Sequence, residues 1–191
     1  MSELTITLNA IREHNPCEDG WKKLLIHLEK TKADDEPLPI RTILKSNGLD
    51  DALWCLRALP EKMDDAVRLL VCDLVEPAMA FVPDGETRPQ VAIAAARAYA
   101  RGEISSDDLY LAAAWDATRF EARTTVWYAA MSATRAATRS KTRTAVWYAA
   151  RDATRAATRD AVWDAQSLVR VDQERIFVEW LDKMESADEL E

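Results

Sequence analysis

Glycine is scarce in these 191 residues, with 4 in all, and histidine is scarcer, with 2. A Gly-rich phosphate cradle is therefore absent, and neither His14 nor His27 stands in a serine or cysteine motif that would activate a nucleophile. Three cysteines, Cys17, Cys55 and Cys72, make no even disulfide framework. With no export signal in view, a reducing, cytoplasmic setting is expected. No apolar run approaches the roughly 18 residues that a membrane span needs, so no membrane partner is expected. The absence of any catalytic motif sets the expectation of a non-enzyme with no catalytic residue, no metal and no cofactor.

What is abundant is alanine, arginine and tryptophan, arranged in a repeat. Arg123 to Arg139 returns as Arg143 to Arg159, with identity at 14 of 17 positions. That agreement marks an internal duplication of period 20. Shorter echoes surround Trp163 and Trp115. The copies hold no Gly or Pro and are built from good helix formers, so they are predicted to be helical. Twenty residues advance a helix by roughly 200°, which would set the Trp127-Tyr128 and Trp147-Tyr148 pairs on opposite sides of one rod. A break near Ser140-Lys141-Thr142 would instead turn both copies to a common core, and a helix pair suits the pattern better.

Elsewhere Pro and Gly punctuate a 3–4 apolar rhythm. Leu4 to Leu8 alternates like a short strand, but a frayed helix start through Ile11 fits equally. Turn residues from Asn15 to Gly20 lead into a helix carrying Trp21, Leu24, Leu25 and Leu28. A polar loop follows, then a short helix over 39–46 closed by Asn47-Gly48, and a run from Leu49 to Leu59 halted by Pro60. Another helix is predicted over 62–76, with Pro77 ending it. The stretch 77–89 reads as a connecting loop between an acidic helical half, 1–76, and a repeat-containing bundle, 90–191, within a single domain. Thr87 and Pro89 can start a helix through Ala100, and Ser105 to Asp108 offers the next start. A last amphipathic helix from about Leu168 carries Ile176, Phe177, Trp180, Leu181 and Met184. The fold class expected is all-α, a helical bundle with the tandem Ala/Arg/Trp repeat in its C-terminal half.

The net charge of −8 is uneven, the first 87 residues carrying a net −7 and residues 88–170 a net +5. Overall acidity argues against a general nucleic-acid binder but leaves room for a local anion site. Arg135, Arg139 and Arg143 are four apart, as are Arg151, Arg155 and Arg159, so each row lies on one helix face. Beside Trp and Tyr these six arginines are the candidate binding residues, for a nucleotide-like anion or an acidic protein surface. The plainer reading pairs them with nearby acids, and reads the tryptophans as the large members of an Ala-rich core. His14-x-x-Cys17 with His27 has ligand types suited to zinc but no second close pair. Asp50-Asp51 and Asp64-Asp65 fit helix-start charges better than a two-carboxylate acid/base site.

Three stretches carry a resemblance. Cys17 to Trp21, Lys32 to Leu38 and Ser46 to Arg57 resemble a block found in uncharacterised proteins of phages, prophages and bacteria. Asp84 to Glu103 and the repeats that follow are similar to an immunity protein family of bacterial toxin systems. That resemblance implies a helical, non-enzymatic protein that neutralises a protein partner, either a toxin or a host defence enzyme, by stoichiometric binding. It supplies no site residues to carry over. This chain has Thr-Arg repeats where relatives tend to show Ala-Arg-Asp-Ala-Ala-Trp, so its exposed face is expected to recognise something different. The rival expectation is a binder or sponge for a nucleotide-like anion, and an Ala-rich helical face also suits self-association into a homo-oligomer.

Overall fold

The computed structural model describes residues 3–81, 87–109 and 162–187, with side chains described for 3–80, 87, 89–109 and 169–187. It is mostly helical, with one addition to the all-helical expectation. Thr5–Ile6 (β1) pairs antiparallel with Leu38–Pro39 (β2), in the register Thr5 to Pro39 and Ile6 to Leu38. Pro39 favours extended backbone at Leu38, and the ladder ends where a helix begins at Ile40, whose N–H donates to the Leu4 carbonyl at 3.0 Å. Thr7 then caps α1 (Leu8–Glu13), its side chain accepting from the Ala10 N–H. Leu4 to Leu8 thus divides between a strand and a helix start.

Helix α2 (Glu18–His27) follows the predicted turn, with Cys17 at its N-cap. Helix α3 (Ile40–Asn47) leads directly into α4 (Leu49–Cys55) through Gly48. Gly48 lies at φ 94°, where a side chain would strain the backbone, and it serves both helices. Its N–H donates to the Leu44 carbonyl and its carbonyl accepts from the Ala52 N–H. The run predicted to continue to Leu59 tightens after Cys55 into a 3-10 turn, Leu56–Ala58. Leu59, preceding Pro60, is extended, as the proline ring requires.

Asp64 and Asp65 occupy the first turn of α5 (Asp64–Val75), facing the positive end of the helix. Part of the stretch read as irregular is ordered as a 3-10 helix, Glu76–Phe81. Helix α6 (Arg88–Ala100) carries its proline in the first turn, where the missing N–H costs nothing. The next helix starts at 106 behind a reciprocal cap: Asp108 N–H donates to Ser105 Oγ, while Ser105 N–H and Oγ both donate to Asp108 Oδ2. The last helix, Val162–Ala187, begins earlier than its apolar stripe suggests.

One core joins the described parts. Ile40, Ile43, Leu53, Leu70 and Leu74 are fully buried together with Phe177 and Leu181 of the last helix. Phe177 and Trp180 stack with ring centroids 6.1 Å apart. Gln173 is buried in the same seam, and its Nε2 donates to the Leu74 carbonyl at 3.0 Å. That carbonyl lies in the last turn of α5, where intrahelical donors run out. The last helix therefore packs on the acidic N-terminal half by apolar area and by satisfying its backbone.

Candidate functional site

Helices α2, α3 and α4 meet around a cavity of about 130 Å³. Its walls are apolar, formed by Ile11, Pro16, Trp21, Leu24, Ile43 and Trp54, and its polar groups are Cys17, Asn47, Asp51 and Cys55. The volume is near the roughly 150 Å³ that accepts a benzene-sized molecule, so there is room for one side chain or one small ligand.

Asn47 fastens the three helices at the polar end. Its Nδ2 donates to the Gly20 carbonyl of α2 at 2.8 Å and to Asp51 Oδ2 of α4 at 2.7 Å, while Ser46 Oγ donates to Asn47 Oδ1 at 2.7 Å. A side chain at position 20 would intrude here. A Cβ on Gly20 would stand 2.8 Å from Asp51 Oδ2 and 3.0 Å from Cys17 Sγ, so the close approach of α2 to α4 depends on glycine. Cys17 Sγ accepts from the Gly20 N–H at 3.4 Å, closing the first turn of α2.

Of the two thiols in the cavity, Cys17 is exposed and Cys55 is buried. Burial pushes the Cys55 thiol up to about 12; the Asp51 carboxylate adds to the rise and Arg57 opposes it. One face of Trp54 is covered, because the Arg57 guanidinium lies 4.3 Å from the ring centroid and its Nε donates to the Trp54 carbonyl. The carboxylate of Asp51 is thus the charged group of a mostly apolar cleft, and the first turn of α2, which follows Cys17, carries the exposed acids Glu18 and Asp19.

The arginines singled out in the sequence, Arg135, Arg139, Arg143, Arg151, Arg155 and Arg159, lie outside the described residues. So do Trp115, Trp127 and Trp147, Tyr128 and Tyr148, the side chain of Trp163 and the break proposed at 140–142. Asp50 and Asp51 stand in the first turn of α4, and each has a partner, Asp50 in Arg170 and Asp51 in Asn47. Among the described residues no group of three or more His, Cys, Asp and Glu side chains could hold a metal ion. No helix among them is long and apolar enough to cross a membrane.

Periodicity alone missed the cleft, because Cys17, Asn47 and Asp51 register there only as turn and cap residues. The signal that could have found it was the pair of stretches Cys17 to Trp21 and Ser46 to Arg57, which supply most of its lining. No protein-family model, curated protein or solved structure matches this chain.

Proposed function

We propose that this chain is a non-enzymatic binding protein that neutralises a protein partner stoichiometrically, as an immunity-type protein or a phage-encoded inhibitor of a host defence enzyme. It works in the cytoplasm of a bacterium or infected host cell. The observation that carries the reading is the cleft of α2, α3 and α4, in which apolar walls end at the Asp51 carboxylate. A lysine or arginine side chain of the partner fits that chemistry, with its methylene stem along Trp21 and Leu24 and its charged head at Asp51. The net −7 of the first 87 residues steers a basic surface toward this end.

The test is a calorimetric and inhibition titration against the toxin or defence enzyme encoded beside this gene or targeted in its host. Inhibition should saturate at one chain per partner. Asp51→Asn keeps an acceptor for Asn47 and removes the charge, and it should weaken binding by at least about tenfold with an unchanged melting temperature. Inhibition at far below equimolar amounts would overturn the stoichiometric reading.

A second reading rests on the arginine and aromatic repeat, which would enclose a nucleotide-like anion or supply the partner-binding face. Replacing Arg139, Arg143, Arg155 and Arg159 by Glu separates the two. Loss of binding there with full retention in Asp51→Asn would move the site from the cleft to the repeat.

A further inference from the structure

We propose that Cys17 and Cys55 are a redox-active thiol pair, joined by oxidation into a disulfide that closes the cleft between α2 and α4. The inference rests on the placement of the two thiols and holds whatever the cleft receives. Both line the same cavity, one from the N-cap of α2 and the other from the last position of α4. The point 3.0 Å from Cys17 Sγ is also 2.8 Å from Asp51 Oδ2, so the Cys17 sulfur lies no more than about 5.8 Å from the Asp51 carboxylate of α4. Cys55 is one helical turn further along the same face of α4, at i+4. The cavity gives the Cys17 side chain space to turn. What holds it back is a single N–H···S bond from Gly20, long at 3.4 Å and among the weaker kinds.

The two thiols have separate tasks. Cys17 is exposed and meets the oxidant first. With a low-molecular-weight disulfide such as oxidised glutathione, the Cys17 sulfur attacks one glutathione sulfur. A mixed disulfide forms, the glutathione S–S bond breaks, and the departing glutathione thiolate takes the proton that Cys17 gave up. Cys55, once deprotonated, then attacks the Cys17 sulfur, the mixed S–S bond breaks, and the second glutathione leaves as a thiol carrying the Cys55 proton. Two cysteine thiols are oxidised to one disulfide while one glutathione disulfide is reduced to two thiols. Because burial holds Cys55 protonated, the second step is the slow one, and base accelerates it.

Cys72 supplies the internal control. It is buried between α5 and α6, with its sulfur 3.9 Å from the Ile93 carbonyl, and does not line the cleft.

The experiment incubates the folded full-length chain with excess oxidised glutathione, quenches with acid, alkylates the remaining thiols and maps peptides by mass spectrometry. A glutathione adduct on Cys17 should appear first and then give way to a Cys17–Cys55 linked peptide. The rate of that second step should rise by about tenfold per pH unit between about pH 7 and about pH 9. Cys17→Ser should give neither product, Cys55→Ser should stop at the adduct, and Cys72→Ser should follow the wild type. A lasting adduct on Cys17 of the wild type, with Cys55 alkylated only after unfolding, would overturn the proposal, as would linkage to Cys72. The wild-type map decides the matter even where Cys55→Ser fails to fold.

Discussion

Arg41 of α3 grips Glu185 of the last helix with two nitrogens, Nε 3.1 Å from Oε1 and Nη2 3.1 Å from Oε2, and also bonds Asp182 one turn earlier. Glu185 is only 4% exposed, and this guanidinium is its ion-pair partner. Glu185 and Asp182 together raise the Arg41 pKa further, the hydrogen bond to Glu185 being the largest cause. Arg41→Ala would strand a buried carboxylate. Breaking a buried pair costs about 3–5 kcal/mol, and because Arg41 keeps some solvent contact we expect about 2–4 kcal/mol by urea unfolding. The double variant Arg41→Leu/Glu185→Leu should recover most of that loss, since it leaves no buried charge unpaired and the Asp182 carboxylate it releases is exposed to solvent. A single variant within about 0.5 kcal/mol of wild type would show the pair to be idle.

Two glycines should resist alanine for different reasons. Gly20→Ala gains helix propensity, worth up to about 1 kcal/mol, yet its Cβ meets Asp51 and Cys17 inside contact distance. We expect the clash to win, with a net loss of about 1–2 kcal/mol and weakened Asn47 bonding across the cleft. Gly48→Ala meets nothing within 4 Å, but at φ 94° it should lose about 1–2 kcal/mol to backbone strain alone. Asp51→Ala in the Gly20→Ala background should recover stability, whereas it should add only loss to Gly48→Ala. Equal behaviour of the two pairs in melting experiments would refute this division.

Local signals in the sequence reached the elements but not the contacts between distant ones. Asn47-Gly48 as a helix stop, the acids of Asp64-Asp65 and the Ser105 to Asp108 start all act within a few residues, so their chemistry is visible in order along the chain. The two-residue ladder was legible only as an ambiguity at Leu4 to Leu8, because its partner lies 32 positions away at Leu38. Arg41 with Glu185 and Gln173 with Leu74 were not legible at all, since spacings of 144 and 99 residues leave no periodic trace. The cleft falls in the same class. Its residues come from four helices and the turn before α2, and each reads locally as a cap, a turn or a core position.

Alkaline pH should unfold the protein partly through its buried thiols. Burial raises Cys55 to about 12 and Cys72 to about 11, in both cases above the ordinary thiol value of 9.0. The stability that comes from keeping these thiols neutral is complete below about pH 9 and is lost as pH rises toward 11 and 12, because the unfolded chain ionises first. Each thiol contributes up to about 1.4 kcal/mol per pH unit over its window. Urea midpoints measured between about pH 8 and about pH 10.5 should fall more steeply for wild type than for Cys55→Ala/Cys72→Ala. Parallel curves would mean that the thiols are not protected by burial.

The last helix should unfold together with the N-terminal half, because Phe177 and Leu181 are wholly buried in the core that also holds Ile40, Leu53, Leu70 and Leu74. Leu181→Ala removes buried methyl groups and leaves a void, for which about 2–5 kcal/mol is expected; Phe177→Ala also loses its stack on Trp180 and should cost about 3–5 kcal/mol. Val171, 68% exposed on the same helix, is the control, and Val171→Lys should stay within about 0.5 kcal/mol. The more telling measurement is cooperativity. Urea unfolding followed by tryptophan fluorescence and by far-ultraviolet circular dichroism should give coincident transitions in the wild type, and Leu181→Ala should shift both together. A helix that merely lay on the surface would melt ahead of the rest. Separated transitions, with the fluorescence change of Trp21 and Trp54 unaffected by Leu181→Ala, would refute the shared core.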